Sequence, residues 1–155
     1  MRITTYRTKL TENKRIALEK EISVNYPDID AIRSPANVYE LATGYLRMHE
    51  ESEEYLYLVC TNVKNKVIGV FEISHGNVNS SIFGVREILQ KALLANAVNI
   101  IMIHNHPSGD PSPSREDIAV TERLRDAGKL VGIELLDHII VGDSGFCSLK
   151  ERGNI

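Results

Sequence analysis

Val98-Asn99-Ile100-Ile101-Met102-Ile103, running on into His104-Asn105-His106-Pro107-Ser108-Gly109-Asp110-Pro111-Ser112-Pro113-Ser114-Arg115-Glu116-Asp117, is the stretch whose reading decides the fold. A short, almost unbroken apolar run marks a β-strand covered on both faces. The Pro/Ser/Gly-rich segment from Pro107 to Pro113 reads as a loop. A helix follows over about Arg115–Lys129, with an apolar stripe of Val120, Leu124, Ala127 and Val131. A strand buried on both sides needs a layer above and a layer below it, so the expected fold is α/β or α+β with helices flanking a mixed sheet.

The flanking segments agree with that plan. Downstream, Ile133–Val141 and Phe146–Leu149 form a hairpin about Gly142-Asp143-Ser144-Gly145. Upstream, a helix is expected over about Gly84–Asn96, with Val85, Ile88, Leu89 and Ala92 on one side. Tyr55–Thr61 and Val67–Ile73 read as two strands joined by a turn at Lys64-Asn65-Lys66, and the polar residues Ser74–Ser81 as a connection. Ser34-Pro35 is a good helix start, serine capping and proline in the first turn, followed by an apolar stripe of Val38, Leu41, Ala42 and Tyr45. Residues 1–33 read as a separate lead-in, with a helix near Glu12–Ser23 and a loop through Asn25-Tyr26-Pro27-Asp28.

Composition narrows the class. The 155 residues fit one globular domain, and 43% hydrophobic with 25% charged residues is ordinary for a folded protein. No apolar run is long enough to span a membrane, and Met1–Arg7 has no signal core, so a cytoplasmic protein is expected. Cys60 and Cys147 are read as buried thiols; two cysteines leave room for one disulfide but make no cysteine-based zinc site. Any metal must therefore rest on His, Asp or Glu. Net charge is −3, yet residues 1–20 carry Arg2, Arg7, Lys9, Lys14, Arg15 and Lys20 against Glu12 and Glu19. Such a basic arm could touch nucleic acid, or could simply be a solvated face.

The chemistry concentrates between His104 and Asp117. Side chains two apart on a strand point the same way, so His104 and His106 can converge at the strand's end. Asp117 lies in the first turn of the following helix, on the stripe that faces the sheet, and an inward carboxylate needs a partner. A metal held by the two histidines would supply one, and three protein ligands leave the open position of a catalytic zinc site. The competing reading is that Ser114-Arg115-Glu116-Asp117 is only a helix-capping sequence. The two are compatible. A general base is still required: Glu54 shares a strand face with Leu56, Leu58 and Cys60, while Glu53 would face the other way, and periodicity does not choose between them. His138 sits among apolar residues and reads as a structural histidine bonded to Asp137 or backbone, with a metal role as the alternative. His49 and His75 belong to no recognisable constellation.

This pattern resembles the RadC-like branch of the JAB/MPN zinc metalloproteases. Their JAMM motif is H-x-H, seven residues, Ser, two residues, Asp, and His104, His106, Ser114 and Asp117 keep every spacing. His-Asn-His-Pro-Ser-Gly at 104–109, Leu136-Asp137-His138-Ile139-Ile140-Val141-Gly142 and Ser148-Leu149-x-Glu151-Arg152-Gly153 resemble the branch as well, so the likeness spans about residues 35–155. It implies a lead-in of 1–33, a RadC-like JAB/MPN domain of 34–155, and a cytidine-deaminase-like three-layer fold. It also implies Zn2+ on His104, His106 and Asp117, Glu54 rather than Glu53 or Glu72 as the base, and Ser114 supporting the oxyanion. The implied function is hydrolysis of a peptide or isopeptide bond in a peptide or protein substrate. Residues 1–33 show no Gly-rich hairpin of the helix-hairpin-helix kind that full-length RadC proteins usually carry. A second reading is a DNA-repair or mobile-element accessory protein with a structural or vestigial metal. A His-Asn-His nuclease fails on spacing, because such sites scatter those residues over a ββα unit.

Overall fold

The computed structural model describes residues 1–26, 29–76 and 84–155. In chain order its elements are β1 (Arg2–Leu10), β2 (Ile16–Asn25), α1 (Pro35–Glu40), β3 (Tyr55–Thr61), β4 (Val67–His75), α2 (Val85–Leu94), β5 (Asn99–Asn105), α3 (Arg115–Val131), β6 (Glu134–Gly142) and β7 (Gly145–Ser148). A π-helical turn, Leu41–Tyr45, prolongs α1, and a 3-10 turn, Met48–Glu50, follows it. The strands make one mixed sheet of seven in the order β2-β1-β4-β3-β5-β6-β7. β1 runs parallel to β4 and β5 parallel to β6, and the other neighbours are antiparallel.

All seven residues of β5 are buried, as a continuous apolar run in mid-sheet requires. Strand alternation then sorts the core into two layers. Leu56, Leu58, Cys60, Ile100 and Met102 pack under α2 (Ile88, Leu89, Ala92) and α3 (Val120, Leu124). Val59, Ile101, Ile103, Ile139 and Val141 face α1 and its continuation (Val38, Leu41, Ala42, Met48). Full burial of each such Leu, Ile or Met side chain stabilises the fold by about 1.5–3 kcal/mol. The result is the expected three-layer α/β sandwich.

Local reading and structure differ in three places. The helix expected over Glu12–Ser23 is strand β2, paired antiparallel with β1 from Arg2↔Asn25 to Leu10↔Ile16. The turn between them is closed by Lys14 N–H donating to the Thr11 carbonyl at 2.9 Å, with Lys14 itself at φ 56°. The lead-in thus extends the sheet, Thr5 of β1 lying in register with Val70 of β4. On α3, Val131 is exposed and Thr121 is buried, so the inward stripe runs through Asp117, Val120, Thr121 and Leu124. Cys147 is half-buried rather than buried, and both thiols are free. Residues 27–28 of the expected loop and 77–81 of the expected connection lie outside the described residues. Among the described residues no helix is long and apolar enough to cross a membrane.

Candidate metal centre

The end of β5 and the start of α3 build the site between them. His104 and Met102 share the face that α3 covers, so His104 points under the helix's first turn and is 2% exposed. His106 follows just past the strand and is oriented by its backbone: its N–H donates to the Val141 carbonyl at 2.9 Å. Loop 107–113 folds against the β6–β7 turn, where Asp143 N–H donates to the Gly109 carbonyl at 2.9 Å. Two glycines permit this close approach. Gly109 has φ +82°, and a Cβ on Gly142 would stand 2.4 Å from the Gly109 carbonyl oxygen.

Ser114 caps α3, and the reciprocal capping box is complete: Asp117 N–H donates to Ser114 Oγ at 3.1 Å, and Ser114 N–H donates to Asp117 Oδ2 at 2.7 Å. Capping does not turn Asp117 away from the histidines. Its Oδ1 lies 3.5 Å from His104 Nε2, and its Oδ2 lies 3.7 Å from His106 Nε2. Glu54, reaching in from the residue before β3, places Oε1 3.8 Å from His106 Nε2. Glu54, His104 and His106 each offer a ligand atom within 4.8 Å of the others, so this cluster can hold a metal ion.

The donor set fits such an ion. His106 Nδ1 lies 2.7 Å from the Asp110 carbonyl, which can only accept, so Nδ1 carries the proton and Nε2 is turned toward the cluster. There it meets His104 Nε2 at 2.9 Å. Two ring nitrogens facing at that distance need a proton or a cation between them. A tetrahedral ion with bonds of roughly 2.0–2.1 Å has ligand atoms about 3.3 Å apart; the two histidine nitrogens here are 2.9 Å apart, and Asp117 approaches one of them through Oδ1 at 3.5 Å and the other through Oδ2 at 3.7 Å.

Electrostatics point the same way. Burial, then the neighbouring His138, hold His104 well below the ordinary histidine value, so it stays neutral. His106 is raised, chiefly by the Asp117 carboxylate against the cost of its partial burial. Burial works against ionisation of Asp117, but His106, His104 and the Ser114 hydroxyl and N–H together hold it far below the usual carboxylate range. The result is a carboxylate favoured in its anionic form beside two imidazoles.

Glu53 and Glu72 stand apart from this group. Glu53 contributes a backbone carbonyl to Asn105, and Glu72 pairs with His75 at 2.7 Å on the exposed surface. His49 lies 3.6 Å from Glu50. The Ser114 hydroxyl donates to Asp117 Oδ2 at 2.6 Å, so its proton is engaged with the carboxylate.

Sequence reasoning missed two features. Asn105, between the histidines and 3% exposed, accepts from Tyr55 N–H at 2.8 Å and donates to the Glu53 carbonyl at 3.0 Å. It clamps the backbone on both sides of Glu54. His138 is not held by Asp137 alone: Asp137 takes its backbone N–H, while the ring bridges His104 (2.8 Å) and Thr121 (2.6 Å). The alternation that puts Met102 and His104 on one face was available in the sequence; the parallel register Met102↔His138, which brings His138 to that face, was not.

A mixed three-layer sandwich with two histidines and two carboxylates gathered at the end of its central strand defines a class of α/β domain whose site could hold a metal ion. Within it, this chain belongs to the RadC-like JAB domain family, whose model matches residues 32–154. It is 49% identical over 122 residues to a UPF0758 protein of Methanosarcina acetivorans, covering 79% of this chain and 52% of that one. It is 50% identical over 121 residues to a UPF0758 protein of Clostridium perfringens, covering 78% and 52%. A UPF0758 protein of Bacillus licheniformis is 50% identical over 122 residues, covering 79% and 54%. The chain spans about half the length of the curated relatives it matches.

Proposed function

We propose that this domain is a zinc-dependent hydrolase of the JAMM type that cleaves a peptide or isopeptide bond, with His104, His106 and Asp117 as metal ligands and Glu54 as general base. The observation that carries this reading is the 2.9 Å approach of the two histidine Nε2 atoms beside an anionic carboxylate. Asp117 is preferred to Glu54 as third ligand because it neighbours both histidine Nε2 atoms, and because Ser114 holds Oδ2 while Oδ1 faces His104. Zn2+ bound there would lower the pKa of its water to about 7 and polarise the carbonyl under attack.

The chain's own residues supply the rest. Glu54 takes a proton from the attacking water and delivers it to the departing nitrogen, a shuttle worth about 10²–10⁴-fold. Asn105 holds that glutamate's backbone in place. Ser114 acts first on Asp117, keeping the carboxylate oriented and ionised. Its support of a developing oxyanion, which the family resemblance implies, requires the hydroxyl to exchange Asp117 for the substrate. Free thiols at Cys60 and Cys147 suit a reducing, cytoplasmic setting. The DNA-associated alternative gains little from the basic arm, where Glu19 pairs with both Arg7 and Lys9.

The test is elemental analysis of the purified chain with His104→Ala and Asp117→Ala alongside. About one zinc per chain, lost from both variants, supports the site, and a library of peptide- and isopeptide-linked substrates then identifies the bond cleaved. Absence of zinc from all three, even after reconstitution, refutes the hydrolase reading and leaves Asp117 as a helix cap.

A further inference from the structure

The buried polar chain behind His104 has a direction, and that direction decides which ring nitrogen of His104 is free. It starts at the backbone. Thr121 Oγ1 lies 2.5 Å from the Asp117 carbonyl one helical turn back, a common Thr back-bond within a helix. A carbonyl cannot donate, and two oxygens at that distance without a hydrogen between them repel, so the hydroxyl proton belongs to this contact. Thr121 Oγ1 is then the acceptor in its 2.6 Å contact with His138, which fixes the proton on His138 Nδ1. His138 Nε2, unprotonated in a neutral ring, accepts across 2.8 Å from His104 Nδ1. His104 Nδ1 is therefore the protonated nitrogen, and its Nε2 lone pair faces His106 and Asp117.

The opposite arrangement is equally continuous and would disable the site. Were Thr121 to donate to His138, the chain would place a proton on His104 Nε2, between the two imidazoles, where a metal would lie. The Thr121 contact to the Asp117 carbonyl selects the first arrangement, and Thr121, His138 and His104 are 1%, 2% and 2% exposed, so no bulk water intervenes to reset the direction; what then sits between His104 Nε2 and His106 Nε2 is a metal ion or a second proton on His106, not one from His104.

We propose that Thr121 and His138 are positioning residues that lock His104 in its Nδ1–H tautomer and so keep Nε2 open to the metal. The inference rests on the metal-site reading above and deepens it: α3, which supplies Asp117, also sets the tautomer of the histidine beside it. Partners of this kind behind a ligating histidine typically change metal affinity by 10–100-fold.

The experiment uses the full chain, wild type against Thr121→Val, which keeps the shape and loses the hydroxyl, and Thr121→Ser, which keeps the hydroxyl. Zinc affinity is measured by competition with a chromogenic chelator, and the ring ¹⁵N shifts of His104 and His138 by long-range ¹H–¹⁵N correlation. The expected result is Nδ1–H on both rings of the wild type, zinc binding about 10–100-fold weaker in Thr121→Val, and near-wild-type binding in Thr121→Ser. A His104 protonated on Nε2 in the metal-free wild type, or full zinc affinity in a folded Thr121→Val, overturns the inference and leaves the metal site standing. A wild-type chain that binds no zinc refutes the metal reading itself, and this role with it. Should Thr121→Val not fold, the wild-type nitrogen shifts and Thr121→Ser decide the matter alone.

Discussion

Replacing Asn105 by alanine should cost stability while leaving the metal-binding groups in place. The amide accepts from Tyr55 N–H and donates to the Glu53 carbonyl, and the side chain is 3% exposed, so water cannot readily replace both bonds. A buried donor or acceptor left without its partner costs about 1–3 kcal/mol. Two of them, one at the edge of the site and partly reachable by solvent, give roughly 3 kcal/mol for the pair. For a domain near 150 residues, each kcal/mol lowers Tm by about 2–4 °C, so the variant should melt roughly 6–12 °C below wild type. Asn105→Asp should do no better. It keeps an acceptor for Tyr55 but turns a carboxylate oxygen toward the Glu53 carbonyl. Neither His104, His106 nor Asp117 bonds to this amide, so zinc content should remain near the wild-type ratio in both variants while turnover, which needs Glu54 held in position, falls. Thermal denaturation with metal analysis of the same samples is the assay. A melting point within about 2 °C of wild type would show that the clamp holds nothing together, and loss of zinc at unchanged stability would mean that Asn105 serves the ligands rather than Glu54.

Other substitutions separate the remaining roles. Glu54→Gln should bind zinc as the wild type does and lose about 10²–10⁴-fold in hydrolysis once a substrate is found; equal turnover would remove Glu54 from the mechanism. Ser114→Ala should lower stability by about 0.5–2 kcal/mol through the lost cap, whereas Ser114→Thr should retain most of it, as read from urea unfolding. The metal-free chain should also weaken in acid. His138 is fully buried and pushed down to about 4 by burial, against 6.5 for an ordinary histidine. Its folded value lies below its unfolded one, so the unfolded chain takes the proton first and stability falls as pH drops from 6.5 toward 4, by roughly 3 kcal/mol for this group. His104, lowered for the same reason, adds to that loss, while His106, raised by Asp117, opposes it. Unfolding midpoints that do not move over that range would contradict the neutral, buried state of His138.

Legibility in the sequence followed how local the deciding physics is. β5 was readable because burial on both faces leaves a residue pattern that needs no knowledge of neighbours. The start of α3 is local too: Ser114-Arg115-Glu116-Asp117 reads as a cap, and Ser114 caps the helix. β2 was misread because it is an edge strand, exposed along most of its length, whose Ala17-Leu18-Glu19-Lys20-Glu21 segment favours helix until β1 is laid beside it. Its turn offered no warning, since a lysine rather than a glycine takes the left-handed position.

The site divides along the same line, and the division bears on how it works. His104, His106, Ser114 and Asp117 lie within one strand, loop and helix start, so fixed spacing and two periodicities bring them together in any reading. Glu54 needed the family resemblance to be chosen over Glu53, because alternation names a face but not the point where a strand enters the sheet. Asn105 and His138 needed the sheet itself: one bonds sideways to the backbone before β3, and the other meets His104 only because β6 runs parallel to β5 in a particular register. Ligand-type residues are therefore encoded locally and their supports non-locally. On the proposed reading, a chain that kept the H-x-H…S-x-x-D spacing but lost Asn105, Thr121 or His138 would still match the motif while the hold on Glu54 or on the His104 tautomer was lost. Grafting residues 104–117 onto another α/β strand–helix unit should accordingly yield a site with weaker zinc affinity than the parent, and restoring a Thr–His pair behind the first histidine should recover part of that loss.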